Sequence, residues 1–353
     1  MRALTVIAGK ADSLAIREVD DSRPEPGELL VRGLALGICG TDREIAAGEY
    51  GTAPPGRDRL ILGHESLGRV ERAPAGSEFA VGDLVAGVVR RPDPVPCAAC
   101  AHGRFDMCRN GRYTERGIKE LDGYGSELWC VPADYAVRLP KSLGRTGMLT
   151  EPASVVAKAW DQVDEVGHRC GFAPERVLIT GAGPIGLLAA LIGVQRGLDV
   201  HVLDVVDSGP KPELVAELGA TYHHDDPGEL AERLHPDIAI EATGVGRVVF
   251  DVIAATTPNG VVCLTGVSPR GRTLTIDAGA LNRTLVLDNE VVVGSVNAAL
   301  PHYRAAVDAL AAADPHWLES MITRRLRLDQ LPRGFEAAPD DVKVVVALDD
   351  SQR

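Results

Sequence analysis

Cys39 in GICGTD, His64 and Glu65 in LGHESLG, and Glu151 in LTEPAS lie in three separated pieces of the chain. Taken singly they are ordinary: a lone cysteine is most often a small buried hydrophobe. Together they offer thiolate, imidazole and carboxylate, the ligand types zinc prefers. A catalytic zinc holds about three protein ligands and keeps one position open for water or substrate. Four candidates for those places suit a site that exchanges one carboxylate for substrate.

A second group is more compact. The stretch DPVPCAACAHGRFDMC, residues 93–108, packs Cys97, Cys100 and Cys108 into a proline-flanked loop. A closed structural zinc site needs a fourth ligand. Asp93, His102 and Glu115 are the candidates, and an empty loop of three reduced thiols is the alternative. Cys130, Cys170 and Cys263 stand in apolar or strand-like contexts and read as packing residues.

The third group is TGAGPIG, in which Gly181, Gly183 and Gly186 have GxGxxG spacing with Pro184 and Ile185 between them. Such glycines give a tight turn, close approach to a pyrophosphate and close helix–strand packing. Free N–H groups at the following helix start attract phosphate. The motif follows the β-branched run VLIT, opens an apolar helix and precedes a second strand, VHVLD, which is the context a dinucleotide site requires. Asp204 ends that second strand, where a carboxylate accepts hydrogen bonds from ribose hydroxyls and repels a 2′-phosphate. No arginine follows at once, so NAD is expected in preference to NADP. Asp207 reads as the cap of the next helix, and His223 and His224 as residues of a loop after it.

The elements that position these groups change in character along the chain. Up to about residue 150, short apolar runs such as ELLVRGLALGI and DLVAGVVRR alternate with Gly, Pro and Asp turns, the pattern of a β domain. After Pro152, strands and helices alternate, which implies a parallel sheet with helices on both faces. A last apolar run, KVVVAL, reads as a strand returning to the first domain. The length of 353 residues admits two domains, and the formal net charge of −13 argues against a nucleic-acid partner. No apolar run reaches the length of a membrane span and no signal peptide is evident, so a cytoplasmic, membrane-free protein is expected.

GICGTDREI, GHESLGRV, the cysteine loop, EPAS and GAGPIG occur in the order found in zinc-dependent medium-chain dehydrogenases, which the whole chain resembles. VRRP, YTERGI, DGYGSE and GSVN are similar to the glucose 1-dehydrogenase branch. The resemblance implies an α/β architecture: a mainly-β GroES-like catalytic domain (1–155 and 298–353) and a doubly wound Rossmann domain (156–297). It implies catalytic zinc on Cys39, His64 and Glu65, with Glu151 as a substrate-sensitive ligand or sugar contact. Thr41 would touch the reacting oxygen, and Asp42 would steady the loop or the metal's surroundings. Glu115 would contact ring hydroxyls, and Asn297 would lie near nicotinamide and sugar.

In the superfamily the cysteine loop reads C-x2-C-x2-C-x7-C. Its first position falls on Pro94 here, which leaves neighbouring Asp93 as the best fourth ligand of a structural zinc. The reaction implied is hydride transfer from a sugar hydroxyl to NAD(P), with D-glucose or a related aldose oxidised at C1 to a lactone. A polyol, cyclitol or other secondary alcohol is the alternative substrate, because Ala298 and Ala299 follow Asn297. A zinc-free Rossmann reductase is the less favoured reading. Relatives are commonly homodimers or homotetramers, and the expected place for substrate is a cleft between the domains.

Overall fold

The computed structural model describes residues 1–269 and 271–349. The chain divides into two compact units, Met1–Ser154 with Asn297–Arg353, and Val155–Val296.

In the first unit, β1 (Arg2–Ile7), β2 (Ala15–Glu18), β3 (Glu28–Ile38), β4 (Arg59–Ile61), β5 (Glu65–Arg72) and β6 (Leu84–Gly87) precede the cysteine loop. A two-residue strand β7 (Arg90–Arg91) leads into that loop. Then come β8 (Thr114–Arg116), β9 (Glu120–Leu121), β10 (Leu128–Pro132) and β11 (Ala136–Leu139). The long strand β3 organises the unit by pairing antiparallel with β5 and β10. Its alternate residues Leu29 and Val31, and beyond a bulge at Gly33–Ala35 the alternate pair Leu36 and Ile38, enter one core with Leu4, Val70, Val85 and Trp129. That alternation is the period-2 signature that fixes register in a half-buried sheet.

The second unit is a six-stranded parallel sheet. Its strands are β12 (Arg176–Thr180), β13 (Asp199–Leu203), β14 (Thr221–His223), β15 (Ile238–Glu241), β16 (Val261–Leu264) and β17 (Val291–Gly294). The order is β14-β13-β12-β15-β16-β17. The central strands are buried over nearly their whole length, as parallel strands covered on both faces must be. Strand order reverses between β12 and β15, so the crevice beyond their carboxyl ends is the topological switch point where such sheets bind ligands. Helix Pro184–Gln195 follows β12 directly and is apolar almost all round, because it is packed in the interior of the unit.

The chain then returns to the first unit. Of the last two strands, β18 (Arg324–Arg327) and β19 (Val344–Ala347), the latter lies antiparallel on β3 and parallel to β18. The run KVVVAL therefore closes the first sheet. Three local expectations are corrected. The helix Pro210–Glu217 is capped by Gly209, not by Asp207. His223 is the last residue of β14, not a loop residue, since its strand pairs with β13. Cys170 is exposed in a short helical turn and does not pack in a core.

Candidate functional site

Cys39 directly follows β3 and caps the helix Gly40–Ala46 with an extended backbone. The carboxylate of Asp42, in the first turn, accepts a hydrogen bond from the Cys39 N–H at 3.0 Å. This fixes the strand–helix corner and aims the thiol. His64 sits just before β5, with Nε2 3.1 Å from Cys39 Sγ. Its other nitrogen, Nδ1, faces Asp42 Oδ1 at 3.4 Å. A carboxylate behind the outer nitrogen is the arrangement that orients a metal-binding histidine. Ligand atoms of Cys39, His64 and Glu65 all lie within 4.8 Å of one another. Thr41 is half-buried on the same helix.

Glu151, in the first turn of helix Thr150–Gly167, is buried. Burial, with the charges of Glu65 and Asp42 adding to it, raises the pKa of its carboxyl, although His64 and Lys343 oppose the shift. Burial raises the Cys39 thiol as well. Burial alone would depress His64, but Asp42 and Cys39 outweigh it and hold the imidazole well above its usual value. Such a crowd of anionic groups, in which Asp42 Oδ1 and His64 Nδ1 are buried without a hydrogen bond, calls for a cation. The donor set of sulfur, imidazole and carboxylate fits zinc.

Sequence reasoning missed Lys343. Its ammonium donates to both oxygens of Glu65 at 2.6 Å, in a pair buried on both sides. Glu65 is therefore already neutralised from one side, and it is the least free of the four candidate ligands. Gly37 on β3 makes room for it, since a Cβ there would stand 1.9 Å from Glu65 Oε2. No local motif announces Lys343; it precedes β19, whose pairing with β3 brings it to the site.

A second cluster joins two residues expected to meet sugar. Asn297, in the left-handed region at φ 62°, donates through Nδ2 to Glu115 Oε1 at 2.7 Å. Arg90 donates to the same oxygen through Nε and Nη2, at 3.0 and 2.9 Å. Its guanidinium also lies 3.8 Å from the centre of the Tyr113 ring. Glu115 and Asn297 thus form one hydrogen-bonded unit anchored by an arginine.

Cys97, Cys100 and Cys108 form the second potential metal group. The Arg109 N–H donates to Cys97 Sγ and, with Cys100, holds that thiol below its usual value. Backbone donors aimed at sulfur favour the thiolate, the form that binds metal. Asp93, expected as the fourth ligand, is not brought into the group: its carboxylate accepts from Val95 N–H at 2.8 Å and from Arg112 at 3.2 Å. His102 is turned toward the Ala98 carbonyl.

In the second unit the glycine turn lies between β12 and helix Pro184–Gln195. Gly181 has φ 94°, which only glycine adopts freely. A Cβ on Gly186 would strike the Gly181 carbonyl oxygen at 1.7 Å, whereas Gly183 faces open space within 4 Å. The first and third glycines are thus needed for the fold, and the second leaves room for a phosphate. Pro184 and Ile185 open the helix whose N-terminus faces that space. A cavity of about 460 Å³ is lined by Gly181, Gly183, Asp204, Asp225, Thr243 and Val248, among others. Asp204 accepts from Ala182 N–H at 2.7 Å and from Lys211 Nζ at 3.1 Å. Glu241, fully buried at the end of β15, accepts from the N–H groups of Thr243 and Gly244 and shapes the opposite wall.

Residues 144–348 match the family described as glucose dehydrogenase C-terminus, and residues 25–141 match the alcohol dehydrogenase GroES-like domain. The chain is 41% identical to a glucose 1-dehydrogenase of Methanocella arvoryzae, covering 99% of each chain. It is 40% identical to glucose 1-dehydrogenase 1 of Caldivirga maquilingensis, again over 99% of each. Among solved structures it is similar to the Haloferax mediterranei glucose dehydrogenase in complex with NADP, Zn and gluconolactone. That likeness has a TM-score of 0.91 and 33% identity, with 99% of both chains covered. With a GroES-like unit carrying the Cys39–His64–Glu65 group and a Rossmann sheet carrying the glycine turn, the chain belongs to the zinc-dependent medium-chain dehydrogenases, in their glucose 1-dehydrogenase branch.

Proposed function

We propose that this enzyme oxidises an aldose, D-glucose or a close relative, at C1 to the lactone, delivering hydride to a nicotinamide dinucleotide. The observation that carries the reading is the joined Glu115–Asn297–Arg90 unit, in the same compact unit as the zinc-type donor set. A sugar presents several hydroxyls, and each buried polar group left unpaired costs about 1–3 kcal/mol. A carboxylate and an amide locked to each other and to an arginine are held ready for such hydroxyls.

Cys39, His64 and Glu151 would hold the zinc, with Glu65 shared between it and Lys343. Zinc, when bound, supplies Lewis-acid polarisation of a hydroxyl at neutral pH, and nicotinamide supplies the hydride acceptor. The chain's own residues do the rest. Asp42 keeps His64 turned so that Nε2 faces the thiol. Thr41 is the hydroxyl that would touch the reacting oxygen and relay its proton onward toward solvent. Glu115 and Asn297 orient the sugar. Gly183 and Ile185 present free N–H groups to the pyrophosphate, and Pro184, which has none, pre-sets the first helical turn.

NAD is the proposed preferred dinucleotide. Asp204 and Asp225 both line the cavity, and two carboxylates disfavour a 2′-phosphate. Lys211 offsets one of them, which leaves NADP usable, as the Haloferax enzyme's complex with NADP illustrates for that protein. Cys97, Cys100 and Cys108 would hold a second, structural zinc without Asp93. The unpaired edge of β17, with Val286 and Leu287 exposed nearby, is the surface a homodimer would bury, and size-exclusion chromatography with light scattering checks it. Among the described residues no helix is long and apolar enough to cross a membrane, and the cytoplasm is the proposed location.

The deciding experiment is a panel of aldoses, polyols and cyclitols assayed with NAD and NADP on zinc-replete enzyme. The expected result is highest kcat/KM for an aldose with NAD, with lactone as product. Highest turnover of a polyol or cyclitol would overturn the substrate, and preference for NADP would overturn the role given to Asp204.

A further inference from the structure

The cysteine loop is joined to the residues given to sugar more closely than a separate structural element needs to be. Residues 92–113 are the connection between β7 and β8, whose ladder pairs Arg91 with Thr114 and Arg90 with Glu115. The two ends of the loop therefore meet at the Glu115–Asn297–Arg90 unit. A ladder of two residue pairs has little stability of its own. Whatever closes the loop also holds the register that sets Arg90 beside Glu115.

Arg90 is buried and reaches both ways. Its Nε and Nη2 donate to Glu115 Oε1, and its Nη1 donates to the Asp106 carbonyl at 2.8 Å. Asp106 lies in the short helical turn Phe105–Met107, between Cys100 and Cys108. Phe105 and Cys100 pack in one buried cluster with Val88, Tyr303, Ala298 and Ala299, and Cys97 and Cys108 lie against it. Ala298 directly follows Asn297. The Tyr303 hydroxyl accepts from the N–H of Val89, the residue before Arg90, at 3.2 Å. The loop thus holds Glu115 through a guanidinium and supports Asn297 through the packing of its neighbours. A guanidinium is planar, with donors in a fixed fork, so moving the acceptor on one side turns the donors on the other.

We propose that the cysteine loop sets the enzyme's affinity for sugar, with Arg90 as the positioning residue that carries the loop's shape to Glu115 and Asn297. The inference rests on the sugar role proposed for that unit. While the three thiols stay gathered, with their sulfurs within 4.8 Å of one another, the Asp106 carbonyl stays under Arg90 Nη1. Loosening the loop withdraws that acceptor, and Glu115 loses its orientation. Cys39, His64 and Glu151 stand on other elements, so the loss falls on binding of sugar and not on the reacting groups.

The test uses the full-length enzyme and the best substrate of the aldose, polyol and cyclitol panel. Arg90→Lys keeps the charge and loses the fork. Cys108→Ser opens the thiol group. Phe105→Leu keeps all three thiols and loosens only the turn, so it stands in if the Cys108 variant does not fold. Each is read by kcat and KM for the substrate, by KM for NAD, and by substrate Kd for the enzyme–NADH complex, followed by cofactor fluorescence. Substrate KM and Kd are expected to rise about tenfold in Arg90→Lys and Cys108→Ser, as for one lost hydrogen bond to a charged group, and severalfold in Phe105→Leu. The kcat and the KM for NAD are expected to stay within about twofold, the mark of lost substrate binding alone. In Arg90→Lys/Phe105→Leu the rise should be smaller than the product of the single effects, because both act through one contact. Wild-type substrate Kd in the loop variants, or effects that multiply in the double variant, overturns the proposal. Failure of the aldose reading shows in the wild-type panel, whereas failure of the coupling shows only in the variants.

Discussion

Cys39→Ser exchanges a soft thiolate for a hydroxyl at the centre of the zinc-type group. Turnover is expected to fall by about 1000-fold, matching the several kcal/mol that a Lewis acid contributes. Dinucleotide affinity should stay nearly intact, because the glycine turn and its cavity belong to the other unit; fluorescence titration with NADH alongside steady-state rates checks both halves. Lys343→Met leaves Glu65 buried without its counter-charge. Breaking such a pair costs about 3–5 kcal/mol, which denaturant unfolding of the variant should show. Asp204→Ala removes the carboxylate that holds Lys211 and frees the ammonium for a 2′-phosphate. The ratio of kcat/KM for NADP over NAD is expected to rise about tenfold, and an unchanged ratio would remove Asp204 from cofactor choice.

At the scale of elements, several of the functional groups stand at the end of a strand. Cys39 follows β3, Glu65 begins β5, Asp204 follows β13 and Glu241 ends β15. Strand ends combine a rigid base with freedom of direction, which is why positioned chemistry collects there. The close approaches between elements are made by glycine. Gly37→Ala would press a methyl into Glu65 from the neighbouring strand. Loss of activity together with about 1–3 kcal/mol of stability is expected from such overpacking, measured on the same preparation. Glu290, between helix Ala278–Leu287 and β17, has both carboxylate oxygens buried without partners. Burial, with Asp288 adding to it, pushes its pKa up to about 7.

For the whole molecule that raised pKa has a definite sign. The unfolded glutamate has a pKa of about 4.3, so between about 4.3 and 7 the folded chain keeps a proton that the unfolded chain has lost. The favourable contribution is complete below that window, declines as pH rises through it, and is gone above about 7. Glu290→Gln should therefore stabilise the protein at pH 8 by about 1 kcal/mol after solvent screening, and by nothing measurable at pH 4. A pair of thermal melts at each pH decides it; equal Tm values at pH 8 would show that Glu290 finds a partner in solution. The first unit is built from both ends of the chain, since β19 completes the sheet of β3. Loss of the last apolar run would thus remove Lys343 and the strand that carries it together.

Much of the site was legible because its signals are local in sequence. The glycine spacing, the strand before it and the acidic residue after it lie within one βαβ unit, and Cys39, His64-Glu65 and Glu151 each sit in a short recognisable stretch. The pattern of alternation fixed a β domain followed by a parallel sheet, because side-chain period depends only on neighbours along the chain. What tertiary structure alone decided involves partners far apart in sequence. Lys343 lies 278 residues from Glu65, and no pattern near either residue names the other. Arg90 reaches Glu115, and Asn297 reaches it from 182 residues away, so two separate sugar candidates became one unit. Asp93 had the right chemistry and sequence position for the cysteine group, but its carboxylate satisfies Val95 and Arg112 instead. Ligand types follow from composition and spacing, whereas who neutralises a buried charge follows only from which strands lie side by side.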